Sequence, residues 1–274
     1  MKTLQEFQTW AAKVQQSGGK LEQLQFVWEL MRTPYTEYYY SLITDKKTND
    51  EFRSYLWSRF NEHGEKAAQL LLSKLERNED TDFHGAIIFC LGKLADGRTI
   101  GKKGLEKEKE KTREWASKLA DDPNAWLRDP AITVLGWIGQ DDDIPQLARH
   151  LLDDPDAKCR AWSATSFMQM WFRRKRLAGH LPDGGTAASY KIWLRQKTHE
   201  SQALVDKTLP ILRQALQRET DYFAIACIID VVQQLTQKRF GLAQKHIDQL
   251  EKDKIDQAKT KAQRFLDKLH EKQK

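Results

Sequence analysis

Three stretches of this chain combine residue types that could carry out chemistry, and each can be held against what that chemistry requires. Gly97-Arg98-Thr99-Ile100-Gly101-Lys102-Lys103-Gly104 sets glycines beside lysines, the ingredients of a phosphate-cradling loop. Such a loop needs four residues between its glycines, a hydroxyl residue after the lysine and a strand before it. Here three residues separate Gly97 from Gly101, neither lysine is followed by Ser or Thr, and helical spacing precedes the stretch. A basic insertion is the better account. The aspartates of 121–122, 141–143 and 153–154 could hold a hard cation, but the alternating ligands and distal Glu of a calcium loop are missing. The third stretch, Asp183-Gly184-Gly185, has no nucleophile signature beside it. The seven histidines form no His-Glu-x-x-His pair, and Cys90, Cys159 and Cys227 have neither paired nor ligand-like spacing. No catalytic residue, metal site or cofactor is indicated.

Binding is a different matter. Arg173-Arg174-Lys175-Arg176 could contact phosphate, helped by Lys191, Arg195 and Lys197, with Tyr190 and Trp193 available to stack on bases. No base-reading motif accompanies the charge, so cations complementing a helix C-terminus are the favoured role. Residues 121–170 hold nine Asp against four Lys or Arg, whereas 171–220 hold ten Lys or Arg against four acids. The net charge of +6 therefore hides adjacent patches of opposite sign, which suit a protein partner at least as well as nucleic acid.

The elements that would position these residues follow from an internal repeat. With Leu75, Leu119, Leu151 and Leu216 as anchors, Leu71, Trp115, Leu147 and Leu212 stand four residues before. His84, Arg128, Arg160 and Ile225 stand nine after; Leu91, Leu135, Phe167 and Val232 sixteen after. Leu94, Ile138, Met170 and Leu235 complete each unit. The spacing predicts a helix, a tight turn and a second helix, four times over, with insertions near 97–108 and 173–205. In Asp121-Asp122-Pro123 and Asp153-Asp154-Pro155 an Asp is expected to cap the second helix, with Pro at its first position. Asp141 to Pro145 should start a first helix in the same way, and Thr48-Asn49-Asp50-Glu51 reads as a capping box.

The stretch Asp-Asp-Pro-Asn-Ala-Trp-Leu-Arg-Asp-Pro-Ala-Ile-Thr-Val-Leu-Gly-Trp-Ile-Gly (121–139), with Ile-Pro-Gln-Leu-Ala-Arg-His-Leu-Leu-Asp-Asp-Pro-Asp (144–156), resembles bacterial HEAT-like repeats of the PBS-lyase type. Leu-Gly-Lys-Leu-Ala-Asp (91–96) is similar to the second helix of such a unit, while Phe167-Met168 departs from its Leu-Gly. The resemblance covers roughly 65–172 and is weaker over 200–237. It implies an all-α fold, a right-handed α-α superhelix or α-solenoid in which neighbouring helix pairs bury a shared core. The expected organisation is one continuous domain: an N-terminal helical flank (1–63), repeats (64–238) and one long C-terminal capping helix (239–274). The flank should hold helices at 4–16, 20–32, 34–45 and 48–62, with Pro34 in a first turn and the Tyr38-Tyr39-Tyr40 run serving packing.

In the resembling solenoids second helices line the concave surface. Indexed from His84, Arg128, Arg160 or Ile225, offsets +3, +6, +7 and +10 form the core face, leaving +1, +5, +8, +9 and +12 opposite. Those positions put Phe89, Lys93, Asp129, Trp137, Gln140, Met168, Gln169, Phe172 and Asp230 on a candidate partner-binding surface with Trp137 its expected exposed anchor; the alternative is that the 173–205 insertion folds over these residues and buries them. Gly136 and Gln233 share that expected face, and Arg128 and Arg160 should link neighbouring units. With 40% hydrophobic residues the chain can build a core, and neither a signal peptide nor a membrane span is legible, so a cytoplasmic protein is expected. The leading expectation is a non-catalytic scaffold gripping a protein, such as an immunity protein that neutralises a toxin domain. The alternative is a nucleic-acid binder similar to HEAT-like alkylpurine DNA glycosylases, with Trp137, Asp129 and Arg173 supplying the residue types. Phycobilin lyases are a more distant resemblance without an identifiable chromophore pocket.

Overall fold

Apolar spacing at three and four residues becomes helix throughout a computed structural model that describes residues 2–17, 19–96, 105–178 and 187–272. For Ser17, 176–178, 187–190 and Lys197 it describes the backbone alone. The Gly97–Gly104 stretch, the Asp183-Gly184-Gly185 turn and the side chains of Arg176, Tyr190 and Lys197 therefore lie outside the described residues. Among those described there is no strand. The chain divides into two compact units, Met1–Ala116 and Ser117–Lys274.

The first unit contains α1 (Leu4–Ser17), α2 (Lys20–Leu30), α3 (Thr36–Thr44), α4 (Asp50–Phe60), α5 (Glu65–Glu76) and α6 (His84–Ala95). The division falls within α7 (Glu106–Ala120). Aromatic rings make the core of the flank: Phe26 meets Phe7 at 5.9 Å and Phe52 at 5.7 Å. Tyr39 and Tyr40 are buried, and their hydroxyls donate to the Leu56 carbonyl and to Asp80. Packing is thus the observed role of two of the three consecutive tyrosines. Pro34 precedes the Tyr35 cap of α3 and does not enter its first turn. The cap of α4 is Asn49, whose Oδ1 accepts from the Phe52 amide; Thr48 turns away to donate to the Leu42 carbonyl.

The second unit contains α8 (Ala125–Ile138), α9 (Ile144–Asp153), α10 (Ala157–Ala178), α11 (Ala187–Arg218), α12 (Tyr222–Thr236), α13 (Gln244–Asp248) and α14 (Lys252–Lys272). Every +3, +6, +7 and +10 position of α6, α8, α10 and α12 is buried, as are the leucine anchors of the first helices. The turns differ from expectation by two residues. Asn124 and Asp156 cap α8 and α10, accepting from the Trp126 and Cys159 amides. Pro123 and Pro155 stand just outside the helices, and Asp122 and Asp154 close Asx turns on the amides two residues ahead. An aspartate two residues earlier serves the bend, and the capping duty passes to the next side chain able to perform it.

The later insertion is mostly helix. It lengthens α10 at its C-terminal end and α11 at its N-terminal end. The expected single C-terminal helix is broken. Phe240 and Leu242 pack from a loop, held by Gln233, which accepts from the Phe240 amide and donates to the Leu242 carbonyl. Between α13 and α14 Leu250 adopts a φ of 48°, which a continuing right-handed helix cannot accommodate.

Helices α8 and α10 approach closely at Gly136. A Cβ there would stand 2.7 Å from Ser166 Cα, and the Ser166 hydroxyl donates to the Ile132 carbonyl at 2.9 Å. Gly136→Val should therefore lower the urea midpoint strongly, while Leu135→Ala and Leu151→Ala, which empty fully buried positions, should each cost about 2–5 kcal/mol. Wild-type midpoints for all three variants would contradict the packing described.

Candidate functional site

Two arginines recurring at one repeat position organise the second unit. Arg128 grips Asp154 with Nε and Nη2 at 2.9 and 2.7 Å, and its Nη1 donates to the Asp122 and Pro123 carbonyls. Arg160 does the same one pair later, holding Glu219 at 2.7 and 2.9 Å and the Asp154 and Pro155 carbonyls. Each guanidinium ties the turn of its own pair to an acid in the next turn, which agrees with the linking role expected from their spacing. His150 extends the network, 2.9 Å from Asp154 and 3.0 Å from Asp121. Burial works to raise the Asp154 and Glu219 carboxyls, but the arginines and turn amides outweigh it and hold both below the usual carboxylate range. These groups are structural clamps.

The clamps align α8, α10 and α12 so that each turns one stripe to solvent. On α10 the stripe is Lys158, Trp162, Thr165, Gln169 and Phe172; on α12 it is Phe223, Cys227, Asp230, Gln234 and Gln237. On α8 it begins at Trp126, passes Asp129, Pro130 and Thr133, and ends at Gln140. Trp126 is 80% exposed and Phe172 42%. Trp162 and Phe223 meet edge to face at 6.4 Å and bridge α10 to α12. Lys158 lies 2.5 Å from Asp129 and 5.9 Å from the Trp126 ring. The Thr133 and Thr165 hydroxyls donate back to their own helices.

Against the sequence expectation, Gln140, Gln169, Phe172, Asp129, Asp230 and Met168 are at least partly open, and Trp137 is not. Trp137 is buried at 7% exposure, which corrects its assignment as the water-facing anchor. Nearby, α10 continues past the end of α8. Its Arg173 donates to the Trp137 carbonyl at 2.6 Å and to the Gly139 carbonyl, closing over the C-terminal end of α8. Gly136 and Gln233 are also buried, Gly136 against Ser166 of α10 and Gln233 against the C-terminal loop, whereas Met168 at the same offset stays partly open. Trp126 was missed. It lies two residues before Arg128, outside the offsets used to define the face, and only its matching place with Lys158 and Phe223 signals that it belongs there.

Phe89 and Lys93 belong to the first unit, where they line a cavity of about 420 Å³ between α4 and α6 with Trp57, Ala86 and Cys90. Lys93 sits 4.8 Å over the Phe89 ring. Burial pushes the Cys90, Cys159 and Cys227 thiols up to about 12, so none is a nucleophilic thiolate near neutral pH. The basic run is largely engaged. Arg173 caps α8, Arg174 donates to the Glu200 carbonyl at 3.0 Å and pairs with Asp141, and Lys175 stacks 4.0 Å over Trp171. Lys207, 2.6 Å from Asp141, and Arg174 together hold that carboxyl below its ordinary range. Among the described residues no three acids, histidines or cysteines gather as metal ligands, and no helix is long and apolar enough to cross a membrane.

Residues 68–167, from the first turn of α5 to the middle of α10, match the family described as HEAT repeats. The all-helical, repeat-like packing around that segment is consistent with a HEAT-like α-solenoid, and HEAT repeats generally mediate protein–protein contacts. No curated protein and no solved structure matches the chain.

The clamps carry a pH dependence of definite sign. Because the folded Asp154 and Glu219 titrate below their unfolded counterparts, the unfolded chain takes up protons first as pH falls. Their contribution is full above the unfolded value of about 4 and drains away below it. Asp154→Ala, which leaves Arg128 buried without its partner, should cost about 3–5 kcal/mol at pH 7. Urea titrations should also show Glu219→Gln losing less stability between pH 7 and 3 than the wild type. Equal acid sensitivity would remove Glu219 from the account.

Proposed function

We propose that this chain is a non-catalytic scaffold that holds a protein partner on the second-helix face of its second unit. The observation that carries this reading is the row of Trp126, Trp162, Phe223 and Phe172 across three neighbouring helices, set among Thr and Gln side chains. Trp126 and Phe172 are exposed and Trp162 and Phe223 half-buried; large rings open to solvent beside adaptable amides are the composition of interface anchors, which exclude water and supply most of the binding energy when covered. Gln140, Gln169, Asp129 and Asp230 would form the polar surround, Met168 an adaptable apolar contact within it, and Phe89 with Lys93 a separate contact in the first unit. A toxin domain held by stoichiometric capture is the finer form of the reading.

Protein is favoured over nucleic acid by where the cations go. Phosphate recognition needs cations free to displace counterions. On this face Lys158 is paired with Asp129, and Arg173 and Arg174 spend donors on backbone carbonyls and Asp141. Asp129 and Asp230 add negative charge to the same surface.

Trp126→Ala combined with Phe172→Ala should leave the thermal midpoint nearly unchanged, since both rings are exposed. The same variant should weaken retention of a host protein in an affinity capture at least about tenfold, equivalent to 1.4 kcal/mol. An unchanged set of captured proteins would refute the face. Nuclease-sensitive capture with affinity falling about 0.9 logarithmic unit per phosphate contact for each tenfold rise in salt would replace it with the nucleic-acid reading.

A further inference from the structure

The amino-terminal half of α11 is a second surface, distinct from the face just described. The Arg174–Glu200 hydrogen bond fixes its height against α10. From that level α10 continues only to Ala178, about 6 Å of helix, whereas α11 extends back to Ala187, about 20 Å at 1.5 Å per residue. This part of α11 therefore runs well beyond the end of the described part of α10. Its exposure agrees: Lys191, Ile192, Leu194, Arg195, Gln196, Thr198 and His199 are all exposed, with Ile192 at 69% and Leu194 at 38%.

The patch has a definite composition. At 100° per residue Leu194, Lys191, Arg195 and Ile192 fall in that order within one arc of about 160°, so two cations lie between two aliphatic side chains. From Ala187 to His199 the sequence contains no acid. Branched aliphatic groups held in water on a projecting helix are costly to leave uncovered, and they do not stack on bases as rings do. Cations flanked by such groups complement carboxylates flanked by apolar side chains.

We propose that this half of α11 docks an acidic, amphipathic helix of a protein partner, with Ile192 and Leu194 meeting its apolar stripe and Lys191 and Arg195 its carboxylates. The surface stands apart from Trp126, Trp162 and Phe223, so either can fail without the other.

The test uses the full chain and a labelled synthetic helix with Leu at i, i+3, i+4 and i+7 and Glu elsewhere, followed by fluorescence anisotropy. The wild type should bind it, and Lys191→Glu/Arg195→Glu and Ile192→Ser/Leu194→Ser should each weaken binding at least about tenfold while keeping the helical circular dichroism. The charge-reversed variant should instead bind the same helix with Lys in place of Glu, and Trp126→Ala/Phe172→Ala should bind the acidic helix as the wild type does. Failure of the wild type to bind the acidic helix, or wild-type affinity in both double variants, overturns the proposal. So does tighter binding to a single-stranded oligonucleotide or to phosphatidylserine vesicles.

Discussion

The second unit depends on one interaction made twice: a guanidinium, buried at Arg128 and half-buried at Arg160, that holds the next turn's carboxylate while drawing in the carbonyls of its own turn. Arg128 and Arg160 each do this with three donors, and Asp154 links the two clamps, accepting from Arg128 through its side chain and from Arg160 through its carbonyl. A buried ion pair contributes little net stability once desolvation is counted, but breaking it is expensive, so its main effect is to fix geometry. The geometry it fixes is the offset between successive second helices. Hydrophobic burial brings α8, α10 and α12 together; the clamps determine which side chains remain outside. Trp126, Lys158 and Phe223 form one line because they stand two residues before Arg128, Arg160 and Ile225.

That arrangement separates stability from recognition. The core positions are filled by Leu, Ile, Val and Phe at helical spacing, and the polar network of the turns is satisfied internally. What the second helices leave to solvent is then free to be rings and amides. The two long helices add a separate element, since α10 and α11 outgrow the length needed for packing. One part of that growth, Arg173, turns back to close the end of α8; another, the start of α11, runs beyond the described part of α10 with exposed side chains.

Much of this was legible in the residues. The four helix pairs, their core faces and the linking arginines follow from spacing, because burial of one face imposes a 3.6-residue period that composition cannot hide. The cap positions were displaced because an Asp before a Pro can close an Asx turn or cap a helix, and the sequence is the same for both. Trp137 was misplaced because burial at its offset is set by tertiary packing, which leaves no periodic trace: its equivalents Lys93 and Gln169 are partly open while Trp137 is buried. The break at Leu250 was hidden for the opposite reason: the apolar spacing runs through it, while the backbone turns left-handed at a residue that rarely does so.

The central claim is that on the proposed face it is the exposed stripes of α8, α10 and α12 that contact the partner, and that the solvent side of the packed carboxy-terminal part of α11 does not. A photo-crosslinking residue placed in turn at positions 126 and 169, and at 217 on the solvent side of α11, reads this directly. Crosslinks to the same protein from 126 and 169, with none from 217, are the result predicted. Crosslinks from 217 alone, or crosslinks to nucleic acid from 126 and 169, would contradict it.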